Sequence, residues 1–351
     1  MHNAAPAFAH TSGPRDAKIA IVGDAWGEQE QITGKPFIGY SGQELTRMLT
    51  QAGIARRDCF LTNVLALRLP SNDIGKLCVK KSECPADYPF THLGKKGQYL
   101  SPDYFPELER LRHELETVNP NIIIALGATA CWALLGTNGL GNLRGTVATG
   151  TLVSRKILPT YHPSGIMRNW ANRPIAIADL MKAKRESEFA EIKRPRRMLL
   201  VNPTIAECRD WISTHVKNEC ACDIETKYGM IEMIGFSADP ENAMVIPFWD
   251  KGKGGNFWPT QNLEKDARNI VRSILENPSI VKIFQNGLFD LQYLYKEGYR
   301  PKNCTEDTML LHHALYPELQ KGLGFLGSVY TSEPAWKSMR GKKVTEFKKD
   351  D

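Results

Sequence analysis

The stretch Lys18-Ile19-Ala20-Ile21-Val22-Gly23 decides the fold of the first half of the chain. It is a short apolar run, rich in β-branched residues and ended by glycine, which is the pattern of a buried strand. Similar runs cover residues 59–64, 121–127 and 156–161. Segments with helical spacing lie between them, at residues 42–52, 107–118 and 128–135. Strands that alternate with helices predict a parallel sheet within a three-layer α/β/α domain.

The second half of the chain has its own set of predicted elements. Strands are predicted at residues 221–225, 233–237, 244–248 and 280–285, and helices at residues 263–275 and 289–297. The charge-rich segment around Pro195 is typical of a linker. We therefore predict four parts: a flexible arm over 1–17, a first domain over 18–188, a linker over 189–197 and a second domain over 198–351.

Composition narrows the class of protein. The chain has 351 residues and a formal charge of +6, with 42% hydrophobic and 24% charged residues, as in ordinary globular domains. No apolar run approaches the ~20 residues of a membrane-spanning helix, and the start lacks a signal-peptide pattern. None of the eight cysteines forms a C-x-x-C pair, so we expect reduced thiols in a cytoplasmic protein, in the host cell if a phage encodes it. The mild positive charge permits nucleic-acid binding.

Polar and aromatic residues in the first half follow the ends of predicted strands. Asp24, Asn63, His162 and Ser164 all lie at or shortly after the end of such a run, and Phe37 lies on a loop. Ligands bind at the carboxyl ends of strands in open α/β sheets. Asn63 offers a donor and an acceptor to the edge of a base, and His162 can donate a hydrogen bond to a developing anion. Taken singly, each residue also has an ordinary structural explanation in the core, in a turn or on the surface.

Together these segments resemble the uracil-DNA glycosylase superfamily, nearest to its family 4 members. The stretches that carry the resemblance are Gly23-Asp24-Ala25-Trp26-Gly27-Glu28-Gln29-Glu30, Thr33-Gly34-Lys35-Pro36-Phe37-Ile38-Gly39 with Ser41-Gly42, Leu61-Thr62-Asn63-Val64, Ala125-Leu126-Gly127-Ala128-Thr129-Ala130 and Pro159-Thr160-Tyr161-His162-Pro163-Ser164. They occur in order over about residues 18 to 185. The resemblance implies a uracil-DNA glycosylase-like fold that flips a base into a pocket.

The same resemblance implies roles for single residues. Phe37 would stack on uracil and Asn63 would read its polar edge. His162 would stabilise the departing uracil anion, and its loop, with Ser164, would contact DNA in the minor groove. Asp24 occupies the place of the family's acidic residue, where it would orient water or stabilise the sugar cation. Both cleavage of uracil and DNA binding without cleavage remain open.

Three departures from family 4 affect these expectations. Ala25 stands where stronger glycosylases carry Asp or Asn, so a dedicated base is not evident. Trp26 replaces the expected proline and can reshape the pocket. The four cluster cysteines are not reproduced, since only Cys78 and Cys84 lie in the long polar loop. We therefore expect no iron–sulfur cluster.

The second half carries carboxylates at spacings that suit metal ions. Asp223 and Glu225 lie two residues apart on a predicted strand, so both face one side, ~7 Å apart. Asn286 and Asp290 follow the predicted strand at residues 280–285, one helical turn apart. Asp-x-Glu alone is a weak signal, because most such triplets are solvated strand ends. Carboxylates on one strand face can share divalent cations.

In this order the segments resemble DEDD-type 3′–5′ exonucleases, specifically the proofreading domain of family A DNA polymerases, over about residues 198 to 351. The stretches Asp307 to Leu319 and Lys321 to Gly327 look like the phage branch of that family. The resemblance implies a ribonuclease H-like α/β fold and two Mg²⁺ or Mn²⁺ ions. Asp223, Glu225 and Asp290 would be catalytic metal ligands, and Asn286 would contact DNA.

The third motif of that family is missing from the sequence. It requires Tyr or His four residues before Asp, and its nearest mimic here is Phe347 with Asp351, which lacks the hydroxyl group. We therefore expect a polymerase polypeptide to supply the motif as a partner. Alone, the exonuclease should be weak or inactive.

A glycosylase-like domain ahead of a proofreading exonuclease resembles the amino-terminal part of certain bacteriophage DNA polymerases. The leading interpretation is a replication protein that acts on single-stranded DNA or primer 3′ ends. One alternative is a non-catalytic replisome subunit that binds DNA and a polymerase. Another is a stand-alone uracil repair glycosylase.

Overall fold

The computed structural model of the chain describes residues 3–93, 97–194 and 196–333. The contacts among these residues divide the chain into two compact units. Among the described residues, the first unit comprises 3–93, 97–193 and 324–333, and the second unit comprises 194 and 196–323. The first unit is thus assembled from two segments that are far apart in sequence.

The first unit is built on a five-stranded sheet of order β2-β1-β5-β7-β6, in which only β6 runs antiparallel to its neighbour. Its elements up to the linker are β1 (Ile19–Gly23), α1 (Glu28–Thr33), α2 (Tyr40–Gln51), β2 (Cys59–Asn63), β3 (Cys78–Val79), β4 (Tyr99–Leu100), α3 (Phe105–Val118), β5 (Ile122–Leu126), α4 (Ala128–Leu135), α5 (Leu140–Leu143), β6 (Ala148–Thr149), β7 (Lys156–Thr160), α6 (Pro163–Arg168) and α7 (Arg173–Glu186). The four predicted strands are all present within a residue or two of their predicted bounds.

Helices cover both faces of this sheet. On β1, Ala20 and Val22 face one hydrophobic cluster, which α3 and α4 complete. Ile19 and Ile21 face a second cluster, which α2 and α7 complete. A strand that is buried on both sides reads as a continuous apolar run, which explains the Lys18–Gly23 pattern. The predicted three-layer α/β/α architecture is confirmed.

The described part of the predicted arm contacts the first unit. Phe8 packs edge-on against Phe60, with ring centroids 6.0 Å apart, and its backbone N–H donates to Glu114 Oε1 at 3.1 Å. Ser12 forms an antiparallel bridge with Leu61. These contacts pair residues 49 or more positions apart, so the local sequence pattern gave no indication of them.

The second unit contains a six-stranded mixed sheet of order β15-β14-β9-β10-β11-β8. Its elements are β8 (Met198–Val201), α8 (Ile205–His215), β9 (Glu219–Lys227), β10 (Met230–Ser237), β11 (Asn242–Pro247), β12 (Trp249–Asp250), β13 (Gly255–Asn256), α9 (Gln261–Leu275), β14 (Val281–Phe284), α10 (Gly287–Lys296), β15 (Glu306–Asp307) and α11 (Thr308–Leu315). The sequence analysis identified the central strands but not β8 and α8. Among the described helices of either unit, none combines the length and apolarity needed to cross a membrane.

A buried arginine ties helix α3 to the end of β2. Arg110 donates to Glu107 at 3.0 Å and to Glu114 at 2.8 Å. It also donates to the backbone carbonyls of Asn63 and Val64, at 2.7 and 3.1 Å. The guanidinium is 4% exposed and both carboxylates are 1% exposed. This network fixes the point at which β2 leaves the sheet.

Arg110→Met should destabilise the first unit by about 3–5 kcal/mol, because it leaves two buried carboxylates without the charge that offsets their desolvation. Arg112 is a matched control, since it too lies between glutamates three residues before and four after it, but it is 42% exposed. Arg112→Met should stay within about 1 kcal/mol of wild type. Denaturant unfolding of both variants measures the difference, and equal losses would contradict this account.

Candidate functional site

The carboxyl ends of four parallel strands bring the predicted polar residues to one edge of the first sheet. Asp24 follows β1, Asn63 ends β2 and His162 follows β7 by two residues. Gly127 follows β5 and lies between Asp24 and His162. An added Cβ at Gly127 would lie 3.0 Å from both Asp24 carboxylate oxygens and 3.1 Å from His162 Cβ. These positions, predicted separately from strand ends, therefore form one cluster.

Two glycines allow Phe37 and Asn63 to reach this edge. An added Cβ at Gly23 would lie 2.4 Å from Asn63 Oδ1 and 2.5 Å from Phe37 Cζ. At Gly42, in α2, it would lie 1.8 Å from the Phe37 carbonyl oxygen. Glycine is the residue that permits such close approach. The Phe37 ring lies 6.4 Å from the His162 ring, tilted by 32°.

Phe37 has a left-handed backbone conformation with φ of +56°. For a bulky residue this conformation costs about 1–3 kcal/mol unless the surroundings impose it. Here Arg56 donates to the Phe37 carbonyl oxygen at 2.8 Å. Directly after Phe37, the backbone N–H groups of Ile38 and Gly39 donate to buried Glu30, each at 3.0 Å. Arg56 and Glu30 thus fix the backbone that carries the aromatic ring.

Asp24 lies against the beginning of α4. Its Oδ1 accepts a hydrogen bond from the Ala130 N–H at 3.2 Å. Burial raises the pKa of the Asp24 carboxyl, while the charge of His162 and the α4 hydrogen bonds lower it. A carboxylate at a helix N-terminus is stabilised by the helix dipole. The charge of His162 and the charge of Asp24 therefore each shift the pKa of the other group.

The hydrogen bonds of His162 define which ring nitrogen carries the proton. His162 is the N-cap of α6, and the Ser164 backbone N–H donates to its Nδ1 at 3.1 Å. Because Nδ1 accepts this bond, the neutral ring carries its proton on Nε2. Burial lowers the pKa of His162, an effect that the Asp24 carboxylate opposes. The neutral ring can therefore donate from Nε2 to a ligand.

The remaining predicted positions of the first unit have these placements. Ser164 contacts His162 through its hydroxyl as well, at 2.7 Å from Nδ1. Ala25 packs beside a hydrophobic cluster and supplies no titratable group. Trp26 stands edge-on to His10, with centroids 4.6 Å apart, and its backbone N–H donates to Leu67. Its indole N–H is buried without an acceptor among the described residues.

In the second unit, strand β9 presents its carboxylates as the two-residue spacing predicts. Cys220, Cys222 and Ile224 point into the core, whereas Asp223 and Glu225 are exposed. Asp290, in α10, is 3% exposed, and its Oδ1 accepts from the Ile224 N–H at 3.0 Å. This bond places Asp290 directly beside β9.

Asp290 experiences the charge of its acidic neighbours. Burial above all raises the pKa of its carboxyl to about 6. The Ile224 hydrogen bond opposes the shift, and the charges of Asp223 and Asp307 add to it. Like charges held close together favour a cation between them.

Asp307 organises the loop that carries Asn286. Its carboxylate accepts from the backbone N–H groups of Asn286 at 3.1 Å and Gly287 at 2.8 Å. It also caps α11 by accepting from Met309 at 2.8 Å. Asn286 is the exposed N-cap of α10, with φ of +61°. The sequence placed Asp307 at the start of a stretch that looks like the phage branch of the exonuclease family, but it did not indicate these hydrogen bonds.

The predicted metal ligands fit a hard divalent cation in chemistry, and two of the three come together. Carboxylate oxygens are the ligands that Mg²⁺ and Mn²⁺ prefer, and Asp223 acts on Asp290 electrostatically. Within the described ranges, however, no group of three or more His, Cys, Asp or Glu side chains could hold a metal ion. Phe347 and Asp351, the nearest mimic of the third motif, lie outside the described residues.

Comparison with known proteins identifies both units. A family model of the uracil DNA glycosylase superfamily matches residues 10–194, which is more than half of the chain. The chain belongs to the uracil DNA glycosylase superfamily. The type-4 uracil-DNA glycosylase of Thermotoga maritima is 32% identical over 176 residues, 49% of this chain and 79% of the relative. That of Saccharolobus solfataricus is 31% identical over 180 residues, 49% of this chain and 72% of the relative.

The glycosylase superfamily domain is followed by a 3′–5′ exonuclease domain. The 3′–5′ exonuclease family model matches residues 206–343, and such domains typically use divalent metal ions with a ribonuclease H-like fold. Among solved structures, Brucella melitensis NrnC is 21% identical with a TM-score of 0.26, covering 38% of this chain. The chain spans 60% of the length of NrnC. Two domains of these families give the chain a role in DNA processing.

His162 should titrate below the ordinary histidine value of about 6.5, because burial disfavours the charged ring. NMR titration of the full chain with labelled histidine checks this. The neutral Nε2-protonated form should persist as the pH falls from 8 to about 6.5. A His162 pKa at or above about 6.5, or an Nδ1-protonated neutral ring, would contradict the assignment.

Proposed function

We propose that this chain recognises and excises uracil in DNA with its first unit and removes nucleotides from DNA 3′ ends with its second unit. One observation supports the proposal that the first unit recognises and excises uracil. A neutral imidazole with its proton on Nε2 stands beside a carboxylate, at an edge that an aromatic ring and an amide side chain also reach. Base flipping would bring uracil to that edge.

Each residue of the first unit would act at a definite stage. Phe37 would stack on the flipped base, and Asn63 would hydrogen-bond its polar edge. As the glycosidic bond breaks, its electrons pass to the base, and the His162 Nε2–H would stabilise the resulting anion. Asp24 would stabilise the positive charge on the sugar until water adds at C1′. The α6 loop with Ser164 would contact the flanking DNA.

In the second unit, Asp223, Glu225 and Asp290 would hold Mg²⁺ or Mn²⁺, and Asn286 would contact the DNA. Bound metal ions activate water and stabilise the leaving 3′ oxygen in this type of hydrolysis. Asp290 is positioned for this by its hydrogen bond to β9. Burial, together with the charges of Asp223 and Asp307, raises the pKa of Asp290, and a divalent cation would offset the repulsion among these carboxylates.

The combination of domains also suggests a biological setting. We propose a place in replication, as part of a bacteriophage family A DNA polymerase or beside one, with a polymerase polypeptide that completes the exonuclease site. Uracil-containing templates and misincorporated 3′ ends would then meet the same protein. A non-catalytic replisome subunit and a stand-alone repair glycosylase are the alternatives that the following assays separate.

The full chain should release uracil from a 5′-labelled single-stranded oligonucleotide with one internal uracil, in EDTA. Alkali should then cleave the strand at the abasic position. His162→Ala should lower the rate by about 10²–10³-fold, because it removes the donor that stabilises the leaving anion. His113→Ala, an exposed histidine of the same unit, is the control and should retain the wild-type rate.

Absence of release in EDTA would reject excision and leave uracil or DNA binding as the function of the first unit. A rate unchanged by His162→Ala would reject the role of that residue.

With Mg²⁺ and a polymerase partner present, the same oligonucleotide should give a ladder of 3′-shortened products. Asp223→Asn should abolish the ladder, because it removes a charged metal ligand while keeping the side-chain volume. Asp210→Asn on exposed α8 should leave it unchanged. A ladder of equal strength without the polymerase partner would overturn the proposal that a second polypeptide completes the exonuclease site. A ladder that survives Asp223→Asn would overturn the proposed metal site.

A further inference from the structure

Helix α12 (Leu323–Tyr330) follows the second unit in the chain, yet from Gly324 onward it belongs to the first unit. Its docking site is a cluster of three buried charged side chains: Arg144 after α5, and Asp179 and Lys182 on α7. Each is at most 2% exposed. Fully buried charges of this kind are rare unless they are paired. None of the three takes part in the chemistry proposed above.

The cluster binds α12 through its polar groups. Arg144 donates to the Ser328 hydroxyl, and its guanidinium lies 4.9 Å from the centroid of the Phe325 ring. Lys182 Nζ donates to the carbonyl oxygens of Ser328 and Thr331, the latter at 2.7 Å. These carbonyls belong to the C-terminal turn of α12. Lys182 therefore caps the negative end of the helix dipole.

The charges of the cluster explain why a helix C-terminus fits it. Arg144 donates to Asp179 at 2.6 Å, which leaves Lys182 as the excess positive charge. Burial lowers the pKa of Lys182 to about 8, so the ammonium is still charged at neutral pH. Lys182 Nζ also donates to the Gly145 carbonyl oxygen at 2.7 Å. The carbonyls of α12 supply the partial negative charge that this buried ammonium needs.

Hydrogen bonds connect the cluster to the candidate active site of the first unit. Asp179 Oδ2 accepts from the Thr160 hydroxyl at 2.6 Å, and Thr160 ends β7 two residues before His162. The Thr160 carbonyl oxygen accepts from the Gly127 N–H at 2.9 Å. Gly127 in turn lies against Asp24 and His162. Only Thr160 separates the α12 docking cluster from the glycine at the centre of the site.

We propose that α12 is an intramolecular latch: by engaging Arg144 and Lys182 it completes the first unit, and through Asp179 and Thr160 it positions the His162 loop. The effect on uracil excision rests on the proposed function, whereas the docking does not. Arg144, Asp179 and Lys182 are then positioning residues.

The test is amide hydrogen exchange of the full chain, which requires no uracil excision. Lys182→Met should raise exchange over residues 323–331 by about tenfold or more, because it removes the hydrogen bonds from the buried ammonium to Ser328 and Thr331. The Gly127 amide should exchange faster too. Lys184→Met, an exposed lysine on the same helix, is the matched control and should resemble wild type.

A second variant keeps the proposal testable if Lys182→Met unfolds the first unit. Ser328→Arg adds a positive charge opposite Arg144 and Lys182 but alters only the latch, so the first unit should stay folded while residues 323–331 and Gly127 lose protection. Wild-type protection of 323–331 in both variants would overturn the docking. Loss of that protection with unchanged Gly127 exchange would overturn the positioning. If the wild-type protein releases no uracil, the proposed uracil excision is rejected. The hydrogen-exchange results still test whether α12 acts as a latch.

Discussion

The close approach of backbone and side chains at Gly23 and Gly127 is the constraint on which the first site depends. Four parallel strands deliver their polar residues to one edge, but strand ends alone leave side chains several ångströms apart. At these two positions a Cβ would overlap Asn63 and Phe37, or crowd Asp24 and His162. The absence of two methyl-sized groups therefore brings a ring, an amide, a carboxylate and an imidazole together.

Local pattern was sufficient to predict the sheet of the first unit and the residues at its edge. Apolar runs locate β1, β2, β5 and β7, with a glycine closing the runs of β1 and β5, and parallel strands must end on the same side. The supports of the site were not predictable in this way. Arg110, Arg56 and Thr160 act through partners tens of residues away, and charged residues on helices look like solvated surface in a sequence. Burial distinguishes Arg110 from Arg112, and burial is a tertiary property.

In the second unit, the sequence predicted that two site residues face the same side of a strand but not how they relate to the third. The spacing of Asp223 and Glu225 gave their common face directly, because period two is a property of any strand. Their relation to Asp290 required the pairing of β9 with β14 and the docking of α10, which only the fold supplies. The role of Asp307 likewise could not be predicted from its neighbours in the sequence. Its carboxylate joins the starts of α10 and α11, a role that no motif around it indicates.

The division of the first unit into two chain segments has a consequence for biosynthesis. A ribosome makes the chain from the amino terminus, and about 130 residues of the second unit separate Lys193 from Gly324. At roughly 5–20 residues per second, that interval lasts about 7 to 26 s. During this time the nascent first unit carries Arg144 and Lys182 with their docking segment not yet synthesised. Its maturation therefore waits until translation has passed the entire second unit.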